Sequence, residues 1–149
     1  MNCLSIKTKF GWITAFEKNK RIEKVKFSKC KKQATSKNLK IFKKNLLNFF
    51  NKKQKKISSN FLINGNPTQV KIWKELTSIK FGKTKSYSDV AKKFKLSPRL
   101  VGKICGQNKL PLLIPCHRVI RSDGSLGGFS APGGIKLKKK LLIFENKLK

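Results

Sequence analysis

Cys116 and His117, the only histidine in the chain, stand side by side in an apolar frame, with Leu112-Leu113-Ile114-Pro115 before them and Val119-Ile120 after Arg118. A thiol becomes a strong nucleophile as thiolate, and imidazole can take its proton or stabilise its charge, so the pair could carry covalent chemistry. On an extended segment neighbouring side chains point to opposite faces. Direct contact therefore requires a bend at Pro115 or a bridging water. Taken alone, a Cys-His dipeptide is more often a buried structural cysteine beside a chance histidine.

The other cysteines suggest no rival chemistry. Cys3, Cys30, Cys105 and Cys116 form no Cys-x-x-Cys pair, and Cys3 with Cys30 would be only half of a zinc site. Free thiols in a reducing cytosol are expected. With no phosphate-binding glycine loop and no metal-ligand cluster, neither cofactor nor metal is expected. No segment has the apolar length of a signal peptide or a membrane span, so a soluble cytoplasmic protein, not a membrane protein, is the expectation.

The 149 residues include 37 basic and 6 acidic ones, a formal net charge of +31. That excess points to a polyanionic partner, nucleic acid first. It specifies no activity. Only 4 of the basic residues are Arg against 33 Lys, and Asn, Ile and Phe are abundant, as an AT-rich coding sequence would produce.

Around this site the chain divides in two. Alternation about Phe10, Trp12 and Ile13, then Ile22, Val25 and Phe27, predicts short strands turning near Asn19. Leu39, Phe42, Leu46, Phe49 and Phe50 recur at helical spacing behind a Ser36 N-cap. The lysine-rich run 51–60 reads as a solvated link, giving an N-terminal α/β domain with linker at 1–60 and a second domain at 61–149. There, Asn66-Pro67 opens a helix expected to end near Gly82. Ser86-Tyr87-Ser88-Asp89 is a capping box that starts a short helix with Val90, Ala91 and Phe94 inward. Ser97-Pro98 starts another, running to about Cys105. Two short helices joined by a tight turn at Lys95 to Ser97 fit a helix-turn-helix, or two ordinary packed helices.

The segment Ile114-Pro115-Cys116-His117-Arg118-Val119 resembles the active-site signature of the methylated-DNA–protein-cysteine methyltransferases. Lys85 to Ala91, Ser97 to Gly102, Asn108 and Ser122 to Ser130 fall at that family's spacing, so the resemblance runs from about Asn66 to Glu145, roughly half the chain. The first 60 residues match only in general layout. The resemblance implies an α/β fold: a small ribonuclease-H-like N-terminal part and a mainly helical, winged-helix-like C-terminal domain with the helix-turn-helix.

It also implies roles. Cys116 would accept the alkyl group, His117 and Glu145 would act on it in series through a water, and Tyr87 would donate a hydrogen bond to the base. Arg99 would fill the gap left by a flipped nucleotide, or simply bind a phosphate. Ser97 would belong to the DNA-binding surface, Gly102 would allow close approach to the minor groove, and Asn108 would brace the link to the active-site strand. Val119, Phe129 and the Ser130 amide would complete the pocket. Leu100, where the family often has alanine, Phe129, where tyrosine is common, and the Ala131-Pro132 pair depart from the pattern.

The implied activity is irreversible, single-turnover repair of O6-alkylguanine, and by extension O4-alkylthymine, in double-stranded DNA by a monomer. A thioether on Cys116 would have no easy leaving group. Two rivals stand beside it. An alkyltransferase-like protein that only marks damage would carry tryptophan in place of Cys116, and a basic DNA-binding protein would use the helix pair alone.

Overall fold

The computed structural model of the chain describes residues 1–129, 131 and 133–145. The chain divides into two compact units, Met1–Asn64 and Gly65–Lys149.

The first unit is a three-stranded antiparallel sheet, β1 (Asn2–Thr8), β2 (Gly11–Lys18) and β3 (Arg21–Lys26), in that order, with one helix, α1 (Lys37–Phe50). Asn19 and Lys20, both at positive φ, make the two-residue β2–β3 turn, whose hand suits the strand twist. Ile6, Ile13, Ala15, Ile22 and Val25 are buried, as are Leu39, Phe42, Leu46, Phe49 and Phe50 of α1, which packs on β1 and β2. Ser36 caps α1 by accepting from the Leu39 N–H at 3.2 Å. Phe10, expected in a strand, sits in the β1–β2 turn, and its ring meets Phe50 edge-on at 5.3 Å. The link at 51–60 is not wholly solvated: Ile57 is buried, and Asn60 O and Leu62 N bond to Ile22 along the free edge of β3. Main-chain groups at that edge need partners, and this segment supplies them.

The second unit contains α2 (Pro67–Thr77), β4 (Lys85–Ser86), α3 (Tyr87–Phe94), α4 (Pro98–Gly106), a 3-10 turn (Cys116–Arg118), β5 (Val119–Ile120) and α5 (Gly134–Phe144). Asn66 and Gln69 form a reciprocal capping box at the start of α2. That helix stops at Thr77, short of Gly82, because the Thr77 and Ser78 hydroxyls bond back to Lys74 O and Glu75 O and the chain reverses at Gly82 with φ +77. Trp73 Nε1 donates to Ile104 O at 3.1 Å and ties α2 to α4. Ser86 caps α3 through Asp89 N, and Ser97 caps α4 through Leu100 N. Lys95, left-handed at φ 56, ends α3, and Phe94 is half-buried instead of fully inward. The parallel pair β4–β5 sets Lys85 opposite Val119, so the start of α3 lies beside the Cys116 turn.

Candidate active site

Pro115 (φ −77, ψ 65) bends the chain ahead of Cys116, yet the bend does not turn the Cys116 and His117 side chains together. The Cys116 N–H donates to Ile114 O at 2.7 Å and the Arg118 N–H to Pro115 O at 3.0 Å, so the expected extended segment is a 3-10 turn. In such a turn successive side chains diverge by about 120°. Cys116 accordingly lines a cavity while His117 does not.

The approach to the turn is strained. Leu112 is buried at φ +74, a conformation that costs a leucine about 1–3 kcal/mol and persists only where neighbours enforce it. Asn108 is the enforcer: its Nδ2 donates to Ile114 O at 3.0 Å and its Oδ1 accepts from Leu110 N at 2.9 Å, clamping both ends of the loop.

Behind the turn, His117 Nε2 lies 2.7 Å from Glu145 Oε2, both side chains being 1 % exposed. Arg118 donates through Nε to Glu145 Oε1 at 2.7 Å and through a terminal nitrogen to Oε2 at 2.9 Å, and its other terminal nitrogen reaches Ile79 O. Burial alone would raise the Glu145 carboxyl, yet the His117 and Arg118 hydrogen bonds outweigh it and hold the group at about 2. Burial pushes the His117 pKa down against the opposing pull of Glu145. A neutral imidazole facing a carboxylate must donate from Nε2, which leaves Nδ1 as an acceptor. Nδ1 is buried and bonds to no described protein group.

The cavity has a volume of about 710 Å³ and lies in the second unit. Tyr87, Arg99, Gly102, Cys105, Cys116 and Phe129 line it, with Arg121, Gly127 and Gly128 closing one side. A Cβ on Gly127, whose φ is +71, would come within 3.0 Å of the Tyr87 ring, so the absence of a side chain there makes room for the tyrosine. Burial raises the Cys116 thiol, with the Asn108 amide and the Lys138 charge acting in the opposite direction. Burial likewise lifts Tyr87 and Cys105 to about 12.

Lys138 is fully buried under this cavity. Its Nζ donates to Val119 O at 2.7 Å, to Tyr87 Oη at 3.2 Å and to Leu126 O, with Gly128 O also within 3.3 Å. Desolvation lowers its pKa to about 8. Because the Tyr87 oxygen accepts from Lys138, its own hydrogen is left to point elsewhere.

The structure therefore gathers Cys116, Tyr87, Arg99, Gly102 and Phe129 around one cavity, with Asn108 and Val119 immediately behind. His117 and Glu145 form a pair beneath. Ser97 is exposed as the cap of α4 and is not among the residues lining this cavity, and Ser130 lies outside the described residues. Sequence reasoning gave no role to Arg118, Lys138, Cys105 or Arg121. Lys138 carried a signal: Lys138, Leu141, Leu142 and Glu145 fall at i, i+3, i+4 and i+7, one buried stripe of α5 and its cap, hidden by the run Lys138-Lys139-Lys140.

A buried thiol on a cavity floor, an imidazole–carboxylate pair beneath it and a pair of capped short helices at its rim define a cysteine-dependent group-transfer protein. Residues 67–147 match the family described as "6-O-methylguanine DNA methyltransferase, DNA binding domain". Over 143 residues, 93% of this chain and 89% of the relative, the sequence is 36% identical to a methylated-DNA–protein-cysteine methyltransferase of Metallosphaera sedula. It is also 52% identical over 75 residues, 50% of this chain and 45% of the relative, to the one of Methanocaldococcus vulcanius. The chain belongs to the methylated-DNA–protein-cysteine methyltransferase family. Its mixed α/β fold is that of the Mycobacterium tuberculosis OGT crystallised in complex with DNA (TM-score 0.85, 24% identity, 98% of this chain and 93% of the other). An O6-methylguanine DNA methyltransferase from Methanococcus jannaschii is also similar (TM-score 0.64, 28% identity, 98% and 94% covered). Among the described residues no helix is long and apolar enough to cross a membrane.

Proposed function

We propose that the protein repairs DNA by moving the alkyl group of O6-alkylguanine onto Cys116 Sγ, once per molecule. The observation that carries this reading is the buried Cys116 on a cavity floor, directly followed in sequence by a His117 whose ring is held by Glu145 at 2.7 Å. His117 Nδ1 takes the Cys116 proton, directly or through a water, and the thiolate attacks the alkyl carbon. The C–O6 bond breaks, its electron pair stays on the guanine, and Tyr87 delivers the proton the departing base requires. The result is a thioether, which has no ready leaving group. Asn108 holds the loop, Phe129 forms the apolar side of the pocket, and Val119 backs it by holding Lys138 through its carbonyl.

A stacked base cannot reach a buried thiol, so the nucleotide turns out of the duplex at a cost of a few kcal/mol. The cavity is large enough to admit such a base. The helix pair α3–α4 acts as a helix-turn-helix entering the minor groove, where Gly102 permits close approach, Ser97 adds a contact and Arg99 fills the gap. The second unit is thus the DNA-binding, winged-helix-like domain and the first a ribonuclease-H-like support. The protein acts as a monomer in the cytoplasm, and O4-alkylthymine is a further substrate.

The test is intact-protein mass spectrometry after mixing with a duplex holding one O6-methylguanine, followed by peptide mapping. One methyl on Cys116 without turnover, lost in Cys116→Ser while DNA binding persists, is expected. Binding with no mass change, or recovery of free Cys116, would refute the proposal.

A further inference from the structure

Two thiols outside the alkyl-transfer site face each other in the unit Met1–Asn64. Cys3 Sγ lies 3.0 Å from Cys30 Sγ, although the residues are 27 positions apart. A disulfide needs about 2 Å, so the bond closes with a shift of about 1 Å. The backbone holds the two residues in place. Cys3 and Ala34 exchange both main-chain hydrogen bonds, at 2.9 and 3.1 Å, Cys30 N donates to Ser5 Oγ at 2.9 Å, and Ser5 N donates to Gln33 Oε1 at 2.9 Å. The segment after β3 is thereby fastened along β1 on either side of the sulfurs.

The two sulfurs differ in access. Cys3 is buried, and burial together with the hydrogen bond to Cys30 raises its thiol, whereas Cys30 is only half-buried. Cys30 also lies in the run Lys29-Cys30-Lys31-Lys32, whose three lysines are exposed. We propose that Cys3 and Cys30 form a reversible dithiol–disulfide site, modified by small disulfides that carry carboxylates, with Cys30 as the attacking thiol and Cys3 as the resolving one.

The exchange balances without another reactant. Cys30 loses its proton and attacks one sulfur of the small disulfide. That S–S bond breaks, and the released thiolate leaves as a thiol with the proton. Cys3 then gives up its proton, attacks Cys30 Sγ and expels the second small thiol. The protein loses two hydrogens and two electrons, both gained by the reagent, and excess thiol reverses the reaction. The exposed lysines attract an anionic disulfide to Cys30, whereas Cys105 and Cys116, although they line the cavity, are themselves buried and their thiols are raised by that burial.

Full-length reduced protein is incubated with oxidised glutathione, quenched, unfolded and blocked with a thiol alkylator for intact-mass and peptide analysis. The expected product has lost two hydrogens, carries a Cys3–Cys30 cross-link, and retains two blockable thiols, Cys105 and Cys116. Cys3→Ser should accumulate glutathione on Cys30, Cys30→Ser should leave Cys3 free, and the wild-type rate should fall with added salt. The proposal is overturned if all four cysteines stay blockable, if wild type keeps glutathione on Cys30, or if Cys105 or Cys116 reacts first. A salt-independent rate would remove the role given to the lysines.

Discussion

The carboxylate of Glu145 serves two partners at once: Oε2 lies 2.7 Å from His117 Nε2, and both oxygens take hydrogens from Arg118. One buried negative charge therefore orients the imidazole and neutralises a buried guanidinium. Neither task can be removed without disturbing the other, because an unpaired buried charge costs several kcal/mol.

Glu145→Gln keeps the shape and removes the charge. Arg118 is then left uncompensated, and stability should fall by about 3–5 kcal/mol in urea unfolding. Single-turnover alkyl transfer by the remaining folded protein should slow by about 10²- to 10⁴-fold. Wild-type kinetics in this variant would show that His117 needs no carboxylate.

Acid should destabilise the protein in two stages. His117 has a folded pKa below its ordinary 6.5, so the unfolded chain binds the extra proton and stability declines as pH drops below that value. Glu145 is depressed from 4.5 to about 2, so its contribution, roughly 3 kcal/mol at most, is present above pH 4.5 and lost between there and about 2. Urea midpoints measured against pH check both, and Glu145→Gln should show a weaker second stage, the remainder coming from Glu75, which Lys93 and Lys85 also hold low.

Lys138 carries the same sign at the alkaline end. Its folded pKa, about 8, lies below the ordinary 10.5, so unfolded chains hold the proton longer and stability from this group rises as pH climbs between those values. Transfer should decline over the same rise, because the cation under Tyr87 is lost. Lys138→Met should abolish that decline and slow transfer at neutral pH by at least about tenfold, DNA affinity changing less.

The two glycines against Tyr87 should behave differently. At Gly127 a methyl group would stand 3.0 Å from the ring with φ +71, so Gly127→Ala displaces Tyr87 and slows transfer sharply. At Gly102 the same methyl group meets the ring at 3.8 Å, an ordinary contact. Gly102→Ala should transfer from a free alkylated base normally, and any loss should appear only with duplex DNA.

Arg99, exposed at the cavity rim, can be tested by charge conservation. A phosphate contact survives Arg99→Lys with an unchanged salt slope, whereas filling a vacated base stack does not. Transfer from a duplex should fall about tenfold or more in Arg99→Lys. Transfer from a single strand should be nearly unaffected.

Local patterns in the chain were sufficient for the helix starts, though not for the short β4–β5 pair or the 3-10 turn at Cys116. Ser36, Asn66, Ser86 and Ser97 cap the helices they announce, because a capping hydroxyl or amide acts within three residues of itself. The helical spacing from Leu39 to Phe50 likewise reported which face would be buried, whereas β2 buries Ile13, Thr14 and Ala15 in succession. The Cys116-His117 pair and the family it belongs to were equally legible, since that signature is contiguous. What the sequence could not decide was pairing at a distance. That Lys138 leaves the lysine-rich surface to bond Val119 O and Tyr87, that Arg118 shares Glu145 with His117 across 27 positions, and that Cys3 meets Cys30 all depend on how elements pack. A lysine in a run of lysines is solvated by default. Only the carbonyls converging from β5 and the glycine loop make burial of its charge favourable, and those are brought together by the tertiary fold.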